Sequence, residues 1–148
     1  MIVDRRATIC NSLGAAILVL SATGGCSGAH TSPDLEGEWT LVSLARDGGS
    51  ESPVPEGITL DISGADASGF SGCNTYGFSF ELPTDSDFRI TSGIATTKKA
   101  CSDEIMSFES VFLSSLASSL SIKSDGEGVM LVGGEAVLSF TRSESATE

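Results

Sequence analysis

The stretch Ser102 to Ser118 reads SDEIMSFESVFLSSLAS, and it is where the sequence changes period. Ile105, Phe108, Phe112 and Leu116 recur at spacings of three, four and four, which stacks them on one face of a helix. Ser107, Ser110, Ser114 and Ser118 fall on the opposite face. Ser102 stands where an N-cap belongs, and Asp103 and Glu104 fill the first turn, where the helix dipole favours negative charge. Serine is a modest helix former, so this segment needs an apolar surface to pack against.

On both sides of that helix the period drops to two. Gly37 to Leu44 (GEWTLVSL) reads as a strand, with Trp39 and Leu41 on one face and Val42 and Leu44 on the other. Ile58, Leu60 and Ile62 alternate with Thr59 and Asp61, and between the two strands Gly48-Gly49 and Ser52-Pro53 mark a loop. Phe78, Phe80 and Leu82 alternate again, and Phe88 with Ile90, then Ile94 to Thr97, give two short strands. Beyond the helix, Leu120 and Ile122, Val129 to Val132, and Ala136 to Phe140 read as three strands. Asp125-Gly126 and Gly133-Gly134 supply the turns between them. One helix among many short strands predicts an α+β domain: an antiparallel curved sheet or partial β-barrel with one main helix packed on it.

Composition agrees with a single domain. The chain has 148 residues, 40% hydrophobic and 19% charged, enough apolar side chain for one packed core. Eight Lys and Arg face twenty Asp and Glu, for a net charge of −12. That balance excludes a sequence-independent nucleic-acid binder and a polybasic membrane-surface protein, both of which need clustered cations. A single His, His30, lies in a polar segment and leaves no room for His-based catalysis or a His-rich metal site. No cofactor is expected, and a monomer is.

The ends read as export and linker sequence. Residues 1–25 carry Arg5-Arg6, the apolar run Leu13 to Leu20, and small residues before Cys26, the three parts of a signal peptide. Eight apolar residues rise about 12 Å as a helix, against the ~30 Å of a bilayer core. Gly24-Gly25-Cys26 resembles the bacterial lipoprotein box, in which the cysteine is lipidated and becomes the first mature residue. Thr23 replaces the usual Leu of that box, so cleavage elsewhere and secretion is the alternative. Losing residues 1–25 removes Arg5, Arg6 and Asp4 and leaves a net charge of −13, so the lipid, not the surface charge, would hold the protein at the extracytoplasmic side of a membrane. Residues 26–34 are then the lipidated Cys and a flexible linker, 35–142 the folded domain, and 143–148 a polar tail.

Four blocks of the domain carry a family resemblance. They are Leu35-x-Gly37-x-Trp39-x-Leu41, Phe70-Ser71-Gly72-Cys73-Asn74-Thr75-Tyr76-Gly77, Thr96-Thr97-Lys98-Lys99-Ala100-Cys101 and Glu109-x-x-Phe112-x-x-x-Leu116. In order and spacing they resemble the META domain, also called the HslJ-like or DUF306 family. The resemblance implies a β-rich antiparallel domain with a helix in secreted or lipid-anchored bacterial proteins, associated with envelope or heat stress, motility and virulence. It implies no shared enzymatic reaction. Gly37, Trp39, Gly72, Asn74, Tyr76 and Glu109 accordingly come across as structural positions, and no catalytic residue is assigned.

The remaining chemistry rests on three features. With Cys26 lipidated, Cys73 and Cys101 are an even pair in an exported protein, most simply a disulfide that ties the Gly-Cys-Asn turn to the start of the helix. The alternative is a thiol-based redox or nucleophilic enzyme, with Lys98, Lys99 and the helix N-terminus lowering the Cys101 pKa. Glu109 lies about 40° round the helical wheel from Ile105, among apolar residues, so it needs partners. A structural hydrogen bond or ion pair is expected, with Arg46, Arg89, Lys98 or Lys99 as possible partners, the nearby Lys98 and Lys99 foremost, and a lowered pKa; the alternative is a ligand contact or a general acid with a raised pKa. The acidic loops at Asp61 to Asp66, Asp85 to Asp87 and Asp125 to Glu127 lack the ligand spacing of an EF-hand and read as solvated surface, so no metal is assigned. The expected role is binding: an envelope protein, or an apolar small ligand in a cleft between sheet and helix.

Overall fold

The computed structural model describes residues 33–46 and 48–143. The expected signal peptide, Cys26 and most of the expected linker and tail lie outside the described residues. After a 3₁₀ turn at Pro33–Leu35 come β1 (Gly37–Arg46), β2 (Ser50–Ser52), β3 (Thr59–Ser63), β4 (Asp66–Phe70) and β5 (Thr75–Glu81). The short β6 (Arg89–Ile90) and β7 (Ala95–Thr96) lead into α1 (Asp103–Ala117), followed by β8 (Ser121–Ser124), β9 (Gly128–Gly133) and β10 (Ala136–Arg142). Every strand pairing is antiparallel, in the order β6-β5-β4-β3-β1-β10-β9-β8, with β2 added to β1 and β7 to β5. The chain forms two meanders, β3-β4-β5 and β8-β9-β10, joined through β1.

The two ends of this sheet nearly meet. Just before β6, Asp87 bridges Ser121 of β8. Phe88 N–H donates to the Leu120 carbonyl and Ile122 N–H to the Ser86 carbonyl, each at 2.9 Å. Closing a sheet on itself removes the unpaired edges that an open sheet would expose. The result is a barrel-like sheet with α1 packed on it, the α+β architecture expected from the sequence.

Period-two strands fill the interior. Trp39, Leu44, Ile58, Phe112, Leu116 and Leu138 are fully buried in one core. Tyr76, Phe78, Phe80 and Phe88 make a chain of ring contacts through it, with centroids 5.3–6.3 Å apart. Phe112 brings α1 into this chain, edge-on to Tyr76 at 5.6 Å. The serine face of α1 is exposed at Ser107, Ser110, Ser114 and Ser118, as its spacing requires. Ile105 and Phe108 are only half-buried, because the helix turns Glu109 and Ser115 inward beside Phe112 and Leu116. Ser102 takes the N-cap position without a side-chain capping bond.

Two local expectations need correction, and one strand joins those expected. Leu44 does not share a face with Val42: the pairing with β10 slips between Leu41 and Ser43, so Trp39, Leu41 and Leu44 all face inward while Val42 is 55% exposed. A bulge of this kind is invisible to alternation, because it inserts one residue into an otherwise regular period. Ser50–Ser52, read as loop, pairs with Leu44–Arg46 as β2. Asp66–Phe70 also becomes a strand, with Ala67 as its one fully inward side chain, held by ladders to β3 and β5 on its two sides.

Candidate functional site

The described residues concentrate their unusual chemistry where the turn before β5 meets α1. Ser71 N–H donates to the Asn74 carbonyl at 2.9 Å, closing a tight turn over Ser71 to Asn74. Gly72 sits inside it at φ +108°, a conformation L side chains rarely adopt, and a Cβ there would press on Ile58 and Ile105. This closure points the N–H groups of Cys73 and Asn74 toward the helix.

Glu109 receives them. The residue is 6% exposed. Its Oε2 accepts from Ser71 Oγ at 2.7 Å, Asn74 N–H at 2.9 Å and Cys73 N–H at 3.3 Å, and its Oε1 accepts from Asn74 Nδ2 at 2.7 Å. Burial by itself would raise the carboxyl's pKa. The hydrogen bonds from the Ser71 and Asn74 side chains and from the Asn74 and Cys73 backbone outweigh it and hold the group below its ordinary value. The expected direction is right and the expected partner is wrong. Lys98 and Lys99 are exposed, and Glu109 is balanced by neutral donors, not by a cation.

Asn74 does far more than cap a turn. It is 2% exposed, and its Oδ1 accepts from Lys99 N–H at 2.6 Å and Thr97 Oγ1 at 2.9 Å. One side-chain amide thus joins the turn, the segment ahead of α1 and the helix carboxylate. Cys73 and Cys101 add a covalent link beside it, a disulfide with Cα atoms 6.0 Å apart. Cys73 is buried and Cys101 exposed.

The other motif residues support this region from beneath. Tyr76 donates its hydroxyl to the Thr59 carbonyl at 2.7 Å, and burial pushes its phenol far above the usual range. Gly69, its ladder partner, lies so close to that carbonyl that a Cβ would overlap the oxygen. Gly37 opens β1. Trp39 donates Nε1–H to the Leu35 carbonyl at 2.9 Å and carries the Arg142 guanidinium 4.3 Å over its ring, so the two ends of the domain are pinned together.

Three of these roles are legible in the residues: a turn at Gly72, a polar obligation for Glu109 and the Cys73–Cys101 disulfide. Sequence reasoning missed Ser71 and Thr97 as partners. Nothing distinguishes them from other hydroxyl residues until the turn and the helix are superposed. Among the described residues no group of three or more His, Cys, Asp or Glu could hold a metal ion, and no helix is long and apolar enough to cross a membrane.

Where the C-terminal end of α1 meets β6, an opening of about 270 Å³ is lined by Phe88, Arg89, Ala117 and Leu120, and two further openings differ in character. Between α1 and the β9–β10 turn, an opening of about 130 Å³ is lined by Arg46, Ser114, Ser118 and Glu135 and is polar. On the outside of β8, β9 and β10, a cleft of about 240 Å³ runs past Lys123, Met130, Ser139 and Phe140 and is mostly apolar.

Comparison with known proteins agrees with the architecture. The family model of the META domain matches residues 33–145. A solution structure of a protein from Burkholderia xenovorans is similar at 26% identity and a TM-score of 0.62, covering 74% of this chain and 83% of that one. A crystal structure of a DUF4847-family protein from Bacteroides vulgatus shares the fold at 13% identity and a TM-score of 0.57, covering 76% and 96%. No curated protein matches the chain.

Proposed function

The chain belongs to the META-domain family, and from that premise we propose that it is a non-enzymatic module of the bacterial cell envelope, anchored through a lipidated Cys26 and acting by binding. The observation that carries this reading is the state of Glu109. A general acid needs a proton to give near neutral pH, and a general base needs a free oxygen. Glu109 is held ionised with both oxygens occupied by groups of its own chain. Its arrangement suits a latch between helix and turn.

The same holds for the sulfur pair. A thiolate is the nucleophile in thiol chemistry, and Cys73 and Cys101 are joined. The domain then serves as a rigid, acidic, tethered body whose partner is an envelope protein or an apolar small ligand, consistent with a role in envelope or heat stress. Two measurements on protein taken from its own envelope test this. Intact mass should place the mature N-terminus at Cys26 with lipid attached, and thiol titration of the native domain should find no reactive group. An unmodified N-terminus at Ser27 or beyond would remove the anchor. A reactive Cys101 would favour thiol chemistry instead.

A further inference from the structure

We propose that the outer face of β8, β9 and β10 is the surface this domain lays against a zwitterionic lipid bilayer, an inference that rests on anchoring through Cys26. Where the tether enters the fold is the first argument. Ser124 of β8 donates to the Asp34 carbonyl at 3.4 Å, and the same Ser124 lines the apolar cleft on the outside of this sheet. Residues 27–32 are all that separates Cys26 from Pro33. The seven steps from Cys26 to Pro33 reach roughly 25 Å when fully extended. A lipid on Cys26 therefore keeps the rim of this cleft within about that distance of the headgroups.

Charge is the second argument. Along β8, β9 and β10 the outward positions include Lys123, Met130, Val132, Val137, Ser139 and Thr141, with no carboxylate among the residues of the three strands. The outward positions of β3, β4 and β5 include Asp61, Asp66 and Glu81. In a chain of net charge −12, these strands pay a smaller electrostatic penalty near a phosphate layer than β3, β4 and β5 would. Lys123 can meet a lipid phosphate, while Met130, 41% exposed, and the cleft beside it offer apolar area to the interface. Asp125 lines the cleft at its rim, and its carboxylate is turned into its own loop, accepting from the N–H groups of Gly128 at 2.8 Å and Glu127 at 3.1 Å, while Glu127 stands exposed in the same turn, at the end of the strands. The overall negative charge makes an anionic bilayer the wrong partner.

The protein carries its own probes. Met130 lies on this face, and Met106, 37% exposed, lies on α1. The mature chain, coupled through the Cys26 thiol to maleimide lipid in phosphatidylcholine vesicles, is exposed to hydroxyl radicals and compared with the same chain free in solution. Oxidation of Met130 should fall several-fold on the vesicles while that of Met106 stays unchanged. Lys123→Glu, which places a carboxylate on the face without touching the tether, should restore Met130 oxidation. Equal oxidation of both methionines in the two states, protection of Met106 instead, or protection of Met130 in free chain at high concentration, the mark of a second copy, would each overturn the assignment. Because the coupling is chemical, these outcomes are independent of whether the cell lipidates Cys26, which the intact mass of the envelope protein decides.

Discussion

The two meanders on either side of β1 solve the same packing problem by different means. β8, β9 and β10 alternate cleanly: Ile122, Val129, Leu131, Leu138 and Phe140 face inward, and their stability is apolar burial along regular ladders. The β3-β4-β5 meander buries Leu60, Ile62, Tyr76, Phe78 and Phe80 from its two outer strands with the same alternation. Its middle strand offers only Ala67 as a fully buried apolar residue, and Ser71 and Asn74 are buried polar groups at its far end. That half is completed by directional bonds: the donors around Glu109, the Asn74 amide and the Cys73–Cys101 disulfide. Apolar burial tolerates changes of shape and is indifferent to pH in the acid range, whereas a hydrogen-bonded carboxylate is neither. The difference teaches that a satisfied polar cluster can fasten a helix to a sheet where the nearest strand offers little apolar surface.

The largest effect should come from the apolar half. Leu138→Ala, at a position with no exposed surface, should cost roughly 2–5 kcal/mol through lost burial and the cavity left behind. Chemical denaturation should show the same loss at pH 4 and pH 7. A strongly pH-dependent loss would mean that the two halves are not held by different forces.

A smaller but pH-dependent effect is expected at the latch. Glu109→Gln keeps the shape and replaces one accepting oxygen with a donor, which then faces Asn74 Nδ2 or the Ser71 and backbone donors. The expected loss at neutral pH is roughly 1–3 kcal/mol. Because the folded carboxyl titrates below its unfolded value, the unfolded state binds more protons in that interval. The wild-type advantage is therefore complete above the ordinary carboxylate range and disappears as pH falls through the lowered folded value. Equilibrium unfolding of both proteins across acid pH should show their stabilities converging, and a constant gap would contradict the latch.

The smallest effect belongs to the surface of the polar half. Arg89 and Glu81 form an exposed ion pair at 2.7 Å between β5 and β6. Arg89→Ala should change stability by no more than about 1 kcal/mol, and less in high salt. A larger loss in a thermal melt would show that surface charge, not only the buried cluster, holds this half.

Where sequence reading worked, a period was strong. The helix at Asp103–Ala117, the β3 alternation and the final two strands with their Gly-marked turns all follow from residues a few positions apart. Reading faltered where the signal was weak or non-local. Ser50–Ser52 holds no apolar residue and is a strand only because β1 offers an edge to pair with. The bulge in β1 shifts Leu44 to the inner face, and only its partner strand reveals this. Lys98 and Lys99 were plausible partners for Glu109 by nearness in sequence, yet the carboxylate is met from residues 35 to 38 positions away.

The sequence by itself determined the alternation, the single amphipathic helix, the even cysteine pair of the domain and the need of Glu109 for partners, because each is a property of neighbouring residues or of composition. Tertiary structure alone decided who those partners are, which way Leu44 faces, how Asn74 binds three segments at once and which three adjacent strands place no carboxylate outward. Those depend on how distant strands come together, and a hydrogen bond of 2.7 Å exists only once both of its ends have been placed.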